Sequence, residues 1–222
     1  MSDPKHNRIQ FYGYFRSSSS YRCRIAFNLK AVAYDFHPVH LKSGAQKSDE
    51  FTALNPQQLL PVLVTKDGAE LTQSLAILEW LEERHPNPPI LPKNAVRRAQ
   101  ERAFSQVIAC EVHPLQNLRV LQYLKAELGA GEAETDAWLQ RWLGDGLATC
   151  EALLQKRNKE FPFCFGKTPG MADICLVPQI FSAQRFGVDI SHLPLINAIY
   201  NRCEELAAFA NAHPSKQPDY EA

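Results

Sequence analysis

Ile9, Phe11, Gly13 and Phe15 alternate with Gln10, Tyr12 and Tyr14. A period of two predicts a strand. Tyr21, Ile25, Ala26 and Leu29 then recur at helical spacing, which predicts a helix capped by Ser19 or Ser20. Residues 33–41 read as a second strand. Pro38 within it lacks a ladder donor and places it at a sheet edge. Strand, helix, strand at this spacing predicts a parallel pair. Residues 42–58 are polar and read as irregular. Residues 60–65 form a third strand, Asp67-Gly68 a hairpin turn, and residues 69–72 its antiparallel partner. Gln73-Ser74 opens a helix with Leu75, Ile77, Leu78 and Leu81 inward and Glu79, Glu82 and Glu83 in water. His85-Pro86-Asn87-Pro88-Pro89 ends it.

From residue 95 the pattern is helical only. Val96, Ala99, Ala103 and Val107 fit a helical stripe within a segment reaching about residue 128, interrupted by Pro114 and stopped by Gly129 and Gly131. Trp138, Trp142, Leu143, Leu147, Cys150 and Leu154 mark another helix, and residues 171–186 a third, with Ile174, Val177 and Phe181 on one face. Pro194 opens a last helix burying Leu195, Ile199, Cys203 and Leu206, and the tail from Pro214 reads as irregular. The predicted fold is an α/β thioredoxin-like N-terminal domain over 1–87, a linker over 88–94 and an all-α C-terminal domain over 95–222.

The 24 basic and 24 acidic residues balance, which argues against a general nucleic-acid or anionic-membrane binder. No apolar run approaches the roughly 20 residues that span a bilayer. The polar N-terminus carries no apolar signal core. Six cysteines, at 23, 110, 150, 164, 175 and 203, include no C-x-x-C pair. They read as reduced thiols in a cytoplasmic protein, with Cys23 in the core. His37 and His40 would point to opposite faces of a strand, so no metal site is expected. A redox thioredoxin carries C-x-x-C at the start of its first helix, where this chain has Ser17-Ser18-Ser19-Ser20. Hydroxyls and unpaired N–H groups at a helix start suit an anion or a thiolate.

The run Ser17-Ser18-Ser19-Ser20-Tyr21-Arg22-Cys23-Arg24-Ile25-Ala26 resembles the signature S-S-C-S-W-R-V-R-I-A of the zeta-class glutathione transferases. That class includes the maleylacetoacetate and maleylpyruvate isomerases. Further similar stretches are Leu54-Asn55-Pro56-Gln57, Leu60-Pro61, Gln73-Ser74-Leu75-Ala76-Ile77, His113-Pro114-Leu115-Gln116-Asn117, Met171-Ala172-Asp173 and Leu176-Val177-Pro178-Gln179. Ser19 stands in place of the family's cysteine and Tyr21 in place of its tryptophan. Gly170 stands where the family usually has a Ser or Thr cap three residues before a buried Asp, here Asp173, so a weaker helix start is expected.

The resemblance implies glutathione as cofactor and a dicarboxylate substrate. It implies cis–trans isomerisation of maleylacetoacetate to fumarylacetoacetate, in tyrosine catabolism, by reversible thiolate addition. Maleylpyruvate isomerisation, transferase action on α-halo acids and a non-enzymatic glutathione-fold adaptor are the alternatives. It implies a homodimer. Ser17 takes the place of the thiol-activating hydroxyl, with Ser18 as rival and simple capping as the plain alternative. Ser19 lies beside them. Leu60, before a Pro61 that is cis in the family, would pair its main chain with the cysteinyl part of glutathione; an ordinary strand-entry proline is the other reading. Gln73 and Ser74 suit the γ-glutamyl carboxylate, or cap their helix, and Gln46 aligns with a contact to the glycyl end. Arg16 and Arg185 are candidate clamps on substrate carboxylates, with Arg119. His113 and Asn117, at i and i+4 on an expected helix face, are candidates for either ligand.

Overall fold

Phe11 on strand β1 (Ile9–Gly13) is fully buried and stands at the middle of a four-stranded sheet of order β2-β1-β3-β4. The computed structural model describes residues 7–221. These divide into two compact units, residues 7–88 with 207–221, and residues 89–206.

In the first unit β1 runs parallel to β2 (Tyr34–Pro38), which lies at the edge and ends at Pro38. On its other side it pairs antiparallel with β3 (Val62–Val64), which pairs antiparallel with β4 (Glu70–Thr72). Gly68 supplies the positive φ of 82° that the turn before β4 requires. Helix α1 (Ser18–Leu29) follows β1 and is buried continuously from Ser18 to Phe27. The four-residue apolar stripe in the sequence therefore understates it, because the buried set also takes in Arg22 and Arg24. The stretch expected to be irregular contains 3₁₀ turns at Leu41–Ser43 and Ala45–Lys47, then helix α2 (Asp49–Leu54). Ser48 Oγ caps α2 by accepting from Phe51 N at 3.2 Å, and Phe51 anchors it in the core with Val39 and Val62. Helix α3 (Ser74–Arg84) buries Ile77, Leu78 and Leu81. Its Glu82, expected in water, pairs at 2.7 Å with Lys30, whose side chain is fully buried.

Residues 207–221 pack with this unit, whereas the sequence pattern runs the helical domain to the end of the chain. The reason lies on α1. Arg24 Nε donates to Ala212 O at 3.0 Å and Asn28 Nδ2 to Ala208 O at 2.9 Å. The tail is also more regular than expected, with helix α9 (Ala207–Ala210) and a 3₁₀ turn at Pro214–Lys216.

The second unit opens with α4 (Ala95–Gln106), a π-helical stretch at Val107–Val112 and a 3₁₀ turn at His113–Gln116, followed by α5 (Leu118–Leu128). The Val96, Ala99, Ala103 stripe is not the buried face. Val96 is 67% exposed, and Glu101, Phe104, Ser105 and Ile108 turn inward. Helix α6 (Glu132–Gln155) buries Leu139, Leu143, Leu147, Cys150 and Leu154. A Cβ on its Gly146 would run into Val112, so the glycine admits the π-helical stretch to close contact.

Helices α7 (Met171–Arg185) and α8 (Pro194–Glu204) both start on residues that offer no capping side chain, Gly170 and Leu193. Buried glutamates from other helices fill the role. Glu101 Oε1 accepts from Ala172 N at 2.9 Å, in the space a Gly170 side chain would need. Glu151 accepts from Leu195 N and Ile196 N at 3.0 and 2.9 Å. Asp173 completes the start of α7 by accepting from Gly170 N at 2.8 Å and Cys164 N at 2.9 Å. The weak start expected from Gly170 is thus made good from α4. On α8 the buried residues are Ile196, Ile199 and Cys203, with Leu195 and Leu206 half-buried.

Burial, with the nearby Asp173 carboxylate adding to it, pushes the Glu101 carboxyl up from 4.5 to about 8. The folded chain therefore holds a proton that the unfolded chain releases between these two values. Stability from this group is full below about 4.5 and falls as pH rises towards 8. Glu101→Gln keeps a carbonyl for Ala172 and cannot titrate. Urea midpoints at pH 5 and pH 8 should differ less in this variant than in wild type. A residual slope of the same sign is expected from Asp173, whose carboxyl burial also raises.

Candidate active site

The N-terminus of α1 carries the serines. Ser17 is the N-cap, with extended φ of −69° and ψ of 114°, and its Oγ accepts from Ser20 N at 3.2 Å. This corrects the expectation that Ser19 or Ser20 caps the helix. Both lie inside it, because the chain leaves extended geometry one residue after Arg16. Ser19 Oγ donates to Leu60 O at 3.0 Å and lies 3.1 Å from Ser17 Oγ. A carbonyl only accepts, so Ser19 commits its one hydroxyl proton to Leu60 and Ser17 donates to Ser19. The result is a directed chain, Ser17 to Ser19 to the Leu60 carbonyl. Ser18 is buried beside it. Arg16, half-buried, stacks at 5.8 Å from the Phe15 ring centroid.

Leu60-Pro61 is a cis peptide, as the resemblance implies. Ser19 reaches the Leu60 carbonyl, and the Leu60 N–H has no acceptor among the described residues. Gln73 precedes α3 with φ of 67° and ψ of 115°, a sparsely populated backbone region for a residue with a side chain. Its amide donates to Gln57 Oε1 at 3.0 Å, so it does not cap the helix. Ser74 is the first residue of α3 and is buried. Its Oγ accepts from Arg22 Nη1 at 3.2 Å. Gln46 lies in the 3₁₀ turn at Ala45–Lys47, and its Oε1 is buried without a hydrogen-bond partner.

The remaining candidates belong to the second unit. His113 and Asn117 do not share a helix face, which corrects the i, i+4 expectation. His113 sits in the 3₁₀ turn that Pro114 imposes. Asn117 is extended and caps α5 by accepting from Arg119 N at 3.2 Å. His113 Nδ1 is 3.4 Å from Gln116 Nε2, and Gln116 Oε1 accepts from Gln179 Nε2 at 3.0 Å. Gln116 and Gln179 are buried polar residues that the sequence reading passed over as site support. Arg119 is exposed. Arg185, in the last turn of α7, is exposed with its guanidinium 3.9 Å from the Phe186 ring centroid.

Support for the serine loop was also missed. Arg24 Nη1 and Nη2 donate to Tyr14 O and Phe15 O at 3.3 and 2.9 Å, and Asp219 accepts from Phe15 N at 2.8 Å. Buried so, Arg24 has its guanidinium lowered to about 10. The family's tryptophan position is filled by Tyr21, 5.2 Å from the Arg24 guanidinium. His37 hydrogen-bonds Gln10 at 2.6 Å and stacks on Tyr12, while His40 pairs with Glu221 at 2.7 Å.

The first unit thus brings together a helix start lined by serine hydroxyls, an open N–H beside a cis proline and a second helix start without a side-chain cap. Comparison with known proteins shows the family. Residues 11–89 match the family described as Glutathione S-transferase, N-terminal domain. A maleylpyruvate isomerase from Ralstonia sp is 47% identical over 95% of this chain and 99% of its own. The holo structure of a maleyl pyruvate isomerase, a bacterial glutathione S-transferase in zeta class, is similar with a TM-score of 0.93 and 45% identity, over 96% of this chain and 100% of that one. The structure of a maleylacetoacetate isomerase from Methylobacterium extorquens AM1 with bound malonate and GSH is similar with a TM-score of 0.92 and 38% identity, over 96% and 100%. The chain belongs to the glutathione transferase family, in its zeta class.

Ser17 as N-cap carries a stability cost that its substitutions separate. Ser17→Ala should lower the unfolding free energy by about 1 kcal/mol and Ser17→Gly by only a few tenths. Urea denaturation of the two variants checks this; no loss in either variant would mean that the cap bond to Ser20 N contributes nothing.

Proposed function

We propose that the protein is a glutathione-dependent cis–trans isomerase acting on maleylacetoacetate. The observation that carries this reading is the Ser17–Ser19–Leu60 chain at the start of α1, beside the cis Pro61. The groups of the first unit fit a tripeptide with a thiol and two carboxylates. Leu60 has an N–H to give, Gln46 an unpartnered buried oxygen, and α3 begins without a side-chain cap. Bound glutathione supplies the nucleophile for reversible addition to the cis double bond, so the protein needs none of its own. Five of the six cysteines are buried, and Cys23 has no exposure at all.

The chain's own residues hold and orient. Ser17 directs a hydroxyl proton that a thiolate would draw from Ser19, and the N-terminus of α1 adds a positive field. Ser18 is the rival for the same role. Gln73 and Ser74 serve the γ-glutamyl carboxylate, Gln46 the glycyl end and Leu60 the cysteinyl main chain. Arg16, Arg119 and Arg185 serve the substrate carboxylates. Exposed guanidinium groups at Arg119 and Arg185 suit capture of a dianion. His113 and Asn117 remain candidates for either ligand. The malonate bound in the Methylobacterium relative supports a dicarboxylate preference. We place the protein in the cytoplasm as a homodimer; the exposed Val96, Ala99 and Ala103 face of α4 supports an apolar partner surface.

The 47% identity to a maleylpyruvate isomerase favours a second reading, maleylpyruvate as substrate. Assay of both dianions side by side, with and without glutathione, distinguishes them. Glutathione-dependent loss of maleylacetoacetate absorbance with the larger kcat/KM is the expected result. No turnover of either compound would refute the isomerase reading. Ser17→Ala should lower kcat by about 10²-fold or more. It should also raise the pKa of enzyme-bound glutathione, read as thiolate absorbance against pH. An unchanged rate would move the role to Ser18 or to backbone N–H groups.

A further inference from the structure

Three cations of the first unit are buried, and two are fully occupied. Arg24 donates to the carbonyls of Ala212, Tyr14 and Phe15. Lys30 Nζ donates to Glu82 and to the carbonyls of His85 and Pro88. Arg22 differs. It is 1% exposed, and its one hydrogen bond among the described residues runs from Nη1 to Ser74 Oγ at 3.2 Å. Nε and Nη2 are buried without a partner. No described acidic side chain forms an ion pair with it. A buried charge left unpaired is costly, and it persists where a function or a ligand accounts for it.

The place it reaches is itself open. Ser74 starts α3, an 11-residue helix whose N-cap, Gln73, makes no side-chain bond to it. The first N–H groups of α3 and the guanidinium of Arg22 thus set positive potential on one spot from two elements. Between them lies the Ser74 hydroxyl. Its oxygen accepts from Arg22, so its own proton is kept for an acceptor outside the pair. Arg22 also lies at i+4 from Ser18 on α1, so the helix that presents the serines carries this cation one turn later.

We propose that Arg22 is a positioning residue for the γ-glutamyl carboxylate of glutathione, acting through Ser74. It holds the Ser74 hydroxyl as a donor and places a buried positive charge behind the start of α3. This rests on the glutathione reading above and adds a residue that does not itself touch the ligand. The selectivity it gives is for a carboxylate at that position, not for the thiol.

Calorimetric titration with glutathione and with its des-carboxy analogue, in which 4-aminobutyryl replaces the γ-glutamyl group, tests it. Arg22→Met should weaken glutathione about tenfold or more and leave the analogue within twofold. Ser74→Ala should show the same selective loss, and the double variant should lose little beyond the worse single one. Equal weakening of both ligands, or additive losses, would overturn the proposal, since a merely structural arginine would give those results. If Arg22→Met does not fold, Arg22→Lys carries the test. An ammonium lacks the planar fork, so glutathione should still weaken selectively, and no selectivity overturns it. Wild-type protein that binds neither ligand would overturn the glutathione reading itself, a result separable from a wild type that binds both and a variant that fails to discriminate.

Discussion

The site rests on one buried guanidinium. Arg24 takes the carbonyls of Tyr14 and Phe15, which open the strand-to-helix connection, and the carbonyl of Ala212 in the tail. Carbonyls at the close of a strand have no ladder partner. A buried carbonyl left unpaired costs about 1–3 kcal/mol; of the three, only that of Tyr14 has a further backbone donor among the described residues, Ser17 N at 3.1 Å. Arg24 satisfies all three from one rigid fork, and the burial that lowers its pKa is compensated by those bonds. Removing it would free the loop that sets Ser17 at the helix start. The tail belongs to the same arrangement, since Asp219 accepts from Phe15 N. Residues 204 positions apart in sequence thereby help determine where the serines sit.

The second unit follows a related rule at its helix starts. Neither Gly170 nor Leu193 offers an oxygen to the first turn of its helix. Glu101 and Glu151 provide it from α4 and α6. A borrowed cap does two things that a local one does not. It satisfies the orphan N–H groups and also fixes which helix lies against which. The Gly170 position shows why both partners belong together, because a side chain there would collide with the Glu101 carboxyl. The missing hydroxyl at Gly170 and the buried carboxyl of Glu101 are therefore two halves of one arrangement.

Much of the architecture was legible in the sequence. The period-two run at Ile9, the Pro38 edge, the Asp67-Gly68 turn and the Pro114 break all appear where patterning places them. The similarity of the serine run led to the cis Pro61 and to the glutathione reading. The misses share a cause. Patterning counts apolar residues as buried and charged ones as wet. On α4 that rule selects Val96 and Ala99, which are exposed, and rejects Glu101, which is buried to cap another helix. On α1 it finds four apolar positions and passes over Arg22 and Arg24. Helix α2 was missed although Ser48, with Asp49 and Glu50 in its first turn, is an N-terminal signal. His113 and Asn117 fail as a helical pair because a proline break resets the helical phase, which spacing alone does not register.

At Ser19 the chain departs from the family pattern, and the hydroxyl it places there has a defined partner. A thiol is a weak donor, whereas a hydroxyl donates firmly to a carbonyl. Here that donation goes to Leu60, the residue before the cis proline, and ties α1 to the edge of the site. The same commitment forces Ser17 to act as donor to Ser19, so the hydrogen-bond polarity of the run is set from its far end. A ligand arriving at Ser17 meets a hydroxyl already bonded on both sides, to Ser20 N and to Ser19. To donate outward it must give up only one of these bonds, and the one it gives up leaves the helix cap intact. Capping and ligand donation are then compatible roles for one side chain, using the lone pair for the first and the proton for the second.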